Sequence, residues 1–99
     1  MTIEKFLNGK TLEIKLIGHL DTATAPELEA ALSNDALAEL TLLVLDLEEL
    51  EYVSSAGLRV ILNTQKEMSK RGRMKLTHVN ETIMEVFDIT GFVDILTIE

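Results

Sequence analysis

The chain has 99 residues, 46% of them hydrophobic, no cysteine, and a formal net charge of −8. One domain of this length closes a single core without metal or disulfide help, and the missing cysteine excludes a disulfide framework, a thiolate metal site and a Cys nucleophile. Nine Lys and Arg against seventeen Asp and Glu repel nucleic acid and anionic membrane, and an aromatic content of 4% offers no base-stacking platform.

Met1 to Lys5 is interrupted by charge before any apolar stretch forms, so it does not read as a signal peptide. Ile3 to Leu7 reads as a short strand, closed by the hairpin signal Asn8-Gly9. Over Thr11 to Ile17, Leu12, Ile14 and Leu16 alternate with Glu13 and Lys15, the pattern of a strand with one wet face. Gly18 to Asp21 reads as a loop. Thr24-Ala25-Pro26-Glu27 reads as a helix start, with Thr24 as cap, Pro26 in the first turn and Glu27 at the acid position of a capping box. Leu28, Ala31 and Leu32 form its apolar stripe, and Ser33-Asn34-Asp35 ends or loosens it.

Leu42 to Leu45 is a continuous apolar run, as in a central strand covered on both faces. Leu40 to Leu47 is the longest apolar region; Thr41 and Asp46 break it, and it is far short of a membrane span of about 20 residues. Glu48 to Glu51 reads as an acidic loop. Ser55 opens the next helix, where Leu58, Ile61, Leu62 and Met68 recur at helical spacing and Gly72 is the stop. Met74 to Val79 is a strand. Asn80 caps a further helix carrying Ile83, Val86 and Phe87 and ending at Gly91, and Val93 to Ile98 is a short strand or an extended tail. Strands alternating with helices give one α/β domain, 1–99. Its sheet is mixed, of four to five strands, and packs with three to four helices. Leu45 and Ile61 belong in the core.

Ser54-Ser55 before Ala56-Gly57-Leu58 is the most informative local site. A Ser hydroxyl there caps the helix, and the same helix start, with free N–H groups and a partial positive charge, tolerates a phosphate. Gly57 costs helix propensity about 1 kcal/mol against Ala, and a bare backbone that lets another protein approach the Ser would explain it. Glu48, Glu49 and Glu51 with Asp46 read as a solvated acidic stretch. His19 and His78 are too few for a metal site without further ligands. Lys66, Lys70, Arg71, Arg73 and Lys75 read as cations that suit a helix C-terminus. No nucleophile–base set and no phosphate-cradling Gly-rich loop is present, which argues against an enzyme.

Val44-Leu45-Asp46-Leu47 followed by Val53 to Leu62 resembles the signature of STAS domains in bacterial anti-sigma factor antagonists. Gly18 to Leu28 resembles the first loop and helix of that family, and Val86 to Phe92 its third helix and exit, so the resemblance spans nearly the whole chain in order. It implies a partner switch; the absent cysteine, the charge, the small single core and the missing catalytic sets add the expectation of a cytoplasmic, non-enzymatic monomer without cofactor, resident metal, nucleic-acid partner or membrane insertion. The unmodified protein would bind an anti-sigma factor that is also a Ser kinase, freeing a sigma factor. The kinase, using ATP and Mg²⁺, would phosphorylate Ser55 and release it, and a metal-dependent Ser/Thr phosphatase would reset it. Ser54 is the alternative phosphosite. Asp21, Thr22, Ser54, Ala56, Gly57 and Leu58 would form the partner-binding rim. The family often has Asp-Ser-Ser-Gly; here Ser54 replaces that Asp and Ala56 the second Ser. A second reading is a STAS subunit of a membrane lipid-transport complex, docked on its ATPase subunit and needing no phosphorylation.

Overall fold

The computed structural model describes residues 1–33 and 35–99 in full and Asn34 by its backbone alone. Strand β1 (Thr2–Asn8) and β2 (Thr11–Leu20) form an antiparallel hairpin with Asn8 opposite Thr11. The intervening turn uses Gly9 at φ 63°, the left-handed region that glycine enters at no steric cost. β2 then pairs in parallel with β3 (Leu42–Asp46), and β3 with β5 (Arg73–Thr77), giving the order β1-β2-β3-β5. An irregularity between Gly18 and His19 lets the far end of β2 take a different parallel neighbour, β4 (Leu50–Val53).

The alternation read in β2 is real: Leu12, Ile14, Leu16 and Leu20 are buried. Their register partners Leu43 and Leu45 on β3, and Met74 and Leu76 on β5, face the same core. Onto that core pack helix α1 (Ala25–Ala31) through Leu28, α3 (Ser55–Ser69) through Leu58, Ile61 and Met68, and α4 (Glu81–Thr90) through Ile83 and Phe87. A single short turn, α2 (Asn34–Leu37), follows α1; it starts where Ser33 Oγ accepts from Ala36 N at 3.4 Å.

Several expectations are corrected. β3 is central and buried on both faces, but helices account for only one. Val44 stands outside the main core, on the face that carries Glu13, Lys15, Arg73 and Lys75. The segment read as a loop at Gly18–Asp21 continues β2 to Leu20, because Gly18 N donates to Glu49 O at 3.0 Å and β4 takes over the ladder. Half of the supposed acidic loop is therefore strand: Leu50 and Val53 point inward, while Glu51 and Tyr52 stay exposed. The C-terminal stretch is a 3-10 turn at Phe92–Asp94 and then an extended tail, tied to β5 by one parallel bridge, Leu76 to Ile98. The α4 boundaries fall as read: Asn80 Oδ1 accepts from Ile83 N at 3.0 Å, and Gly91 ends the helix at φ 78°.

Candidate functional site

The start of α3 abuts the end of β2. Ser54 N donates to Leu20 O at 2.8 Å, Leu58 N to Ser54 O at 2.9 Å, and Gly57 N to Ser54 Oγ at 3.2 Å. The N-cap is therefore Ser54, in extended conformation, and not Ser55. Ser55 is the first helical residue; it is exposed, and its hydroxyl makes no hydrogen bond among the described residues. The N–H groups of Ser55 and Ala56 likewise meet no acceptor there. A helix start leaves such donors unpaired, and together with the helix dipole they suit an anion.

Gly57 does not serve outside access. It is buried, and a Cβ placed on it would stand 2.6 Å from Leu20 Cγ and 3.1 Å from Leu20 O. The glycine exists so that α3 can lie directly on the end of β2. Leu58, 6% exposed, is equally internal. Of the residues assigned to a partner-binding rim, Gly57 and Leu58 thus shape the site from beneath, while Thr22 is exposed and Asp21, Ser54 and Ala56 are half-buried.

Asp21 organises the neighbouring wall. Its Oδ1 accepts from Ala23 N at 2.9 Å and Thr24 N at 3.0 Å, and its own N–H donates to Thr24 Oγ1 at 2.8 Å. Thr24 is consequently not a side-chain cap for α1, as the sequence suggested; Asp21 folds the turn ahead of it. The Thr24 N–H, followed by the Ala23 N–H, the Thr24 hydroxyl and nearby His19, holds the Asp21 carboxyl below the usual carboxylate range against an opposing desolvation. Thr22, Ala25 and Pro26 face Ala56, Arg59 and Asn63 across a depression of about 200 Å³. The two segments that the sequence placed near each other are therefore adjacent walls at the start of α3.

The sequence reading missed Tyr52. It is 51% exposed, two residues before Ser54, and meets the His19 ring edge-on at 6.1 Å between centroids. His19 Nε2 also lies 3.3 Å from Glu51 Oε2. Only recognition of β4 and its pairing of His19 with Tyr52 could have revealed this group. The reading also separated Asp46 and Glu48 from His78, whereas the fold brings them together. The basic residues stay at the far end of α3 and on β5. Lys70 and Arg71 both reach Glu67, at 3.3 and 3.5 Å, and Lys75 reaches Glu99 at 3.5 Å.

The comparisons with known proteins define the family of this α/β domain. The family model of the STAS domain matches residues 3–99; the chain belongs to the STAS domain family. It is 38% identical over 84 residues to the BtrV protein of Bordetella bronchiseptica, covering 84% of this chain and 72% of that one. It is 32% identical over 89 residues to the anti-sigma-B factor antagonist of Listeria monocytogenes, covering 89% and 78%. Among solved structures, an anti-sigma factor antagonist from Mycobacterium paratuberculosis superposes with a TM-score of 0.87 at 22% identity, over 98% of this chain and 83% of that one. The Bacillus protein SpoIIAA in its phosphorylated form gives 0.76 at 22% identity, over 99% and 91%. No helix of the described residues is long and apolar enough to cross a membrane.

Proposed function

We propose that this chain is an anti-sigma factor antagonist whose binding to an anti-sigma factor is switched off by phosphorylation of Ser55. The observation that carries the reading is the contrast between two adjacent serines. Ser54 spends its hydroxyl on the Gly57 N–H, whereas Ser55 offers a free, exposed hydroxyl at a helix start. The names of the relatives and the existence of a related fold in a phosphorylated form support it.

The partner is an anti-sigma factor with Ser kinase activity, and a metal-dependent Ser/Thr phosphatase reverses the modification. Ser55 Oγ attacks the γ-phosphorus of the kinase's Mg²⁺-bound ATP, the bond to ADP breaks, and the hydroxyl proton departs. The product carries about −1.5 to −2 charges, which the N–H groups of Ser55 and Ala56 and the helix dipole offset by roughly 0.3–1 kcal/mol. A partner surface shaped around a neutral hydroxyl must instead desolvate or repel the dianion, an effect worth several kcal/mol. A loss of about 4 kcal/mol weakens binding roughly a thousandfold.

The test incubates the protein with its cognate kinase and ATP, maps the phosphate by mass spectrometry and titrates both forms against the kinase. Ser55→Ala should bind and never switch off, and Ser55→Asp should bind weakly. Phosphate on Ser54 alone, or affinity within about threefold after modification of Ser55, refutes the switch. Constitutive copurification with a transporter ATPase subunit would replace it with the transport reading.

A further inference from the structure

We propose that Asp46, Glu48 and His78 form a binding site for a divalent first-row transition-metal ion, at the end of the sheet where β3 and β5 finish. Asp46 is the last residue of β3, and His78 follows the last residue of β5. In open sheets, the crevice outside the carboxyl ends of parallel strands is where ligands bind. One ligand atom from each of the three residues lies within 4.8 Å of the others. His78 Nδ1 and Asp46 Oδ2 stand 3.3 Å apart. Two donors held tetrahedrally on one zinc ion at about 2.0–2.1 Å are separated by about that distance.

The state of Asp46 points the same way. It is 8% exposed, and its Oδ1 accepts from Glu48 N at 3.0 Å, which fixes the carboxylate. Oδ2 accepts no hydrogen bond among the described residues and faces the imidazole. A carboxylate held in place by a backbone N–H, with its second oxygen turned to an imidazole, is a preorganised pair of ligand atoms. The neighbouring cation is engaged elsewhere: Lys15, the register partner of Asp46 on β2, contacts Glu49 Oε2 at 2.7 Å. Glu48 is exposed, and the segment that carries it is held by Asn80 Nδ2, which donates to the Leu47, Glu48 and Leu50 carbonyls. One imidazole with two carboxylates suits zinc or a neighbouring transition metal better than magnesium, which wants oxygen ligands alone.

Two histidines make the assignment testable in the isolated protein. Zn²⁺ should bind with one-to-one stoichiometry by isothermal titration calorimetry and, in NMR spectra, shift the ring signals of His78 but not those of His19. His78→Asn keeps a residue that tolerates φ 53° and removes the imidazole. It should weaken binding by at least the roughly 10–100-fold that loss of a supporting partner costs a metal site. Glu48→Gln should weaken it too, and His19→Gln should leave it unchanged. The site is refuted if saturation is not reached at roughly millimolar Zn²⁺, the weak limit of protein cation sites. It is refuted equally if His78→Asn binds as tightly as the parent, or if the ring that responds is that of His19.

Discussion

Two serines one residue apart have different work, and their substitution separates it. Ser54→Ala removes the only side-chain acceptor for Gly57 N among the described residues and should cost about 1 kcal/mol, the usual value of an N-cap. Ser55→Ala removes an exposed hydroxyl without a partner among the described residues and should stay within about 0.5 kcal/mol. Urea denaturation of both variants checks this, and equal losses would contradict the placement of the cap. Gly57→Ala sets helix propensity against packing. Alanine gains about 1 kcal/mol in a helix, but its Cβ would collide with Cγ and Cδ2 of the fully buried Leu20 side chain and press on the Leu20 carbonyl. Overpacking of that kind costs about 1–3 kcal/mol, so the variant should be no more stable than the parent and up to about 2 kcal/mol less. Asp21 adds a pH dependence. Its folded pKa is depressed, so its contribution is present above the ordinary aspartate value and disappears as pH falls through the folded one. The stability gap between the parent and Asp21→Ala should be full near neutrality and narrow in acid. A gap that does not change across a pH series of urea midpoints would remove the charge from the argument.

At the scale of elements, β3 and α3 hold the site in place. Leu45 and Ile61 are both fully buried, on the central strand and on the inner face of the Ser55 helix. Truncation of either to Ala should cost about 2–5 kcal/mol, and a loss below about 1 kcal/mol at both would show that these elements do not form the core. α3 was legible because its apolar spacing runs through Leu58, Ile61, Leu62 and Met68, all buried except the half-buried Leu62. β4 was not legible. Its burial pattern is in, out, out, in, which breaks the strict alternation that marks a strand, and three glutamates surround its start. Only pairing with β2 beyond Gly18 makes it a strand, and that pairing depends on an irregularity in β2 that no local signal announces.

For the whole molecule, charge is divided between two ends. Asp21, Asp46, Glu48, Glu49 and Glu51 gather where the parallel strands finish, and Lys66, Lys70, Arg71 and Arg73 lie where α3 ends and β5 begins. A partner with a basic face that approaches Ser55 meets the acidic end, so its association rate should fall as salt is raised towards and beyond about 0.15 M, where the screening length is about 8 Å. Stopped-flow association across ionic strength reads this directly, and a salt-independent rate would place the contact elsewhere. The open edge of β1 exposes Phe6 and Leu7 but carries Glu4 and Lys5, the charges that discourage edge-to-edge pairing. The chain should therefore sediment as a monomer at micromolar concentration, and a stable dimer would identify that edge as an interface.

Periodicity and caps determined, from the sequence alone, the α/β class, the hairpin, the central apolar strand, the capping Asn80 and the helix that Ser54 and Ser55 begin. Those features depend on residues a few positions apart, whose burial and hydrogen bonds follow from local geometry. Tertiary structure decided what depends on close approach between distant segments. It made Gly57 a contact with Leu20, 37 positions earlier in the chain. It put the cap on Ser54 rather than Ser55, because Leu20 O holds the Ser54 N–H and fixes where the helix can start. It also set His78 beside Asp46, since neighbouring parallel strands bring together ends that the sequence separates by an entire helix.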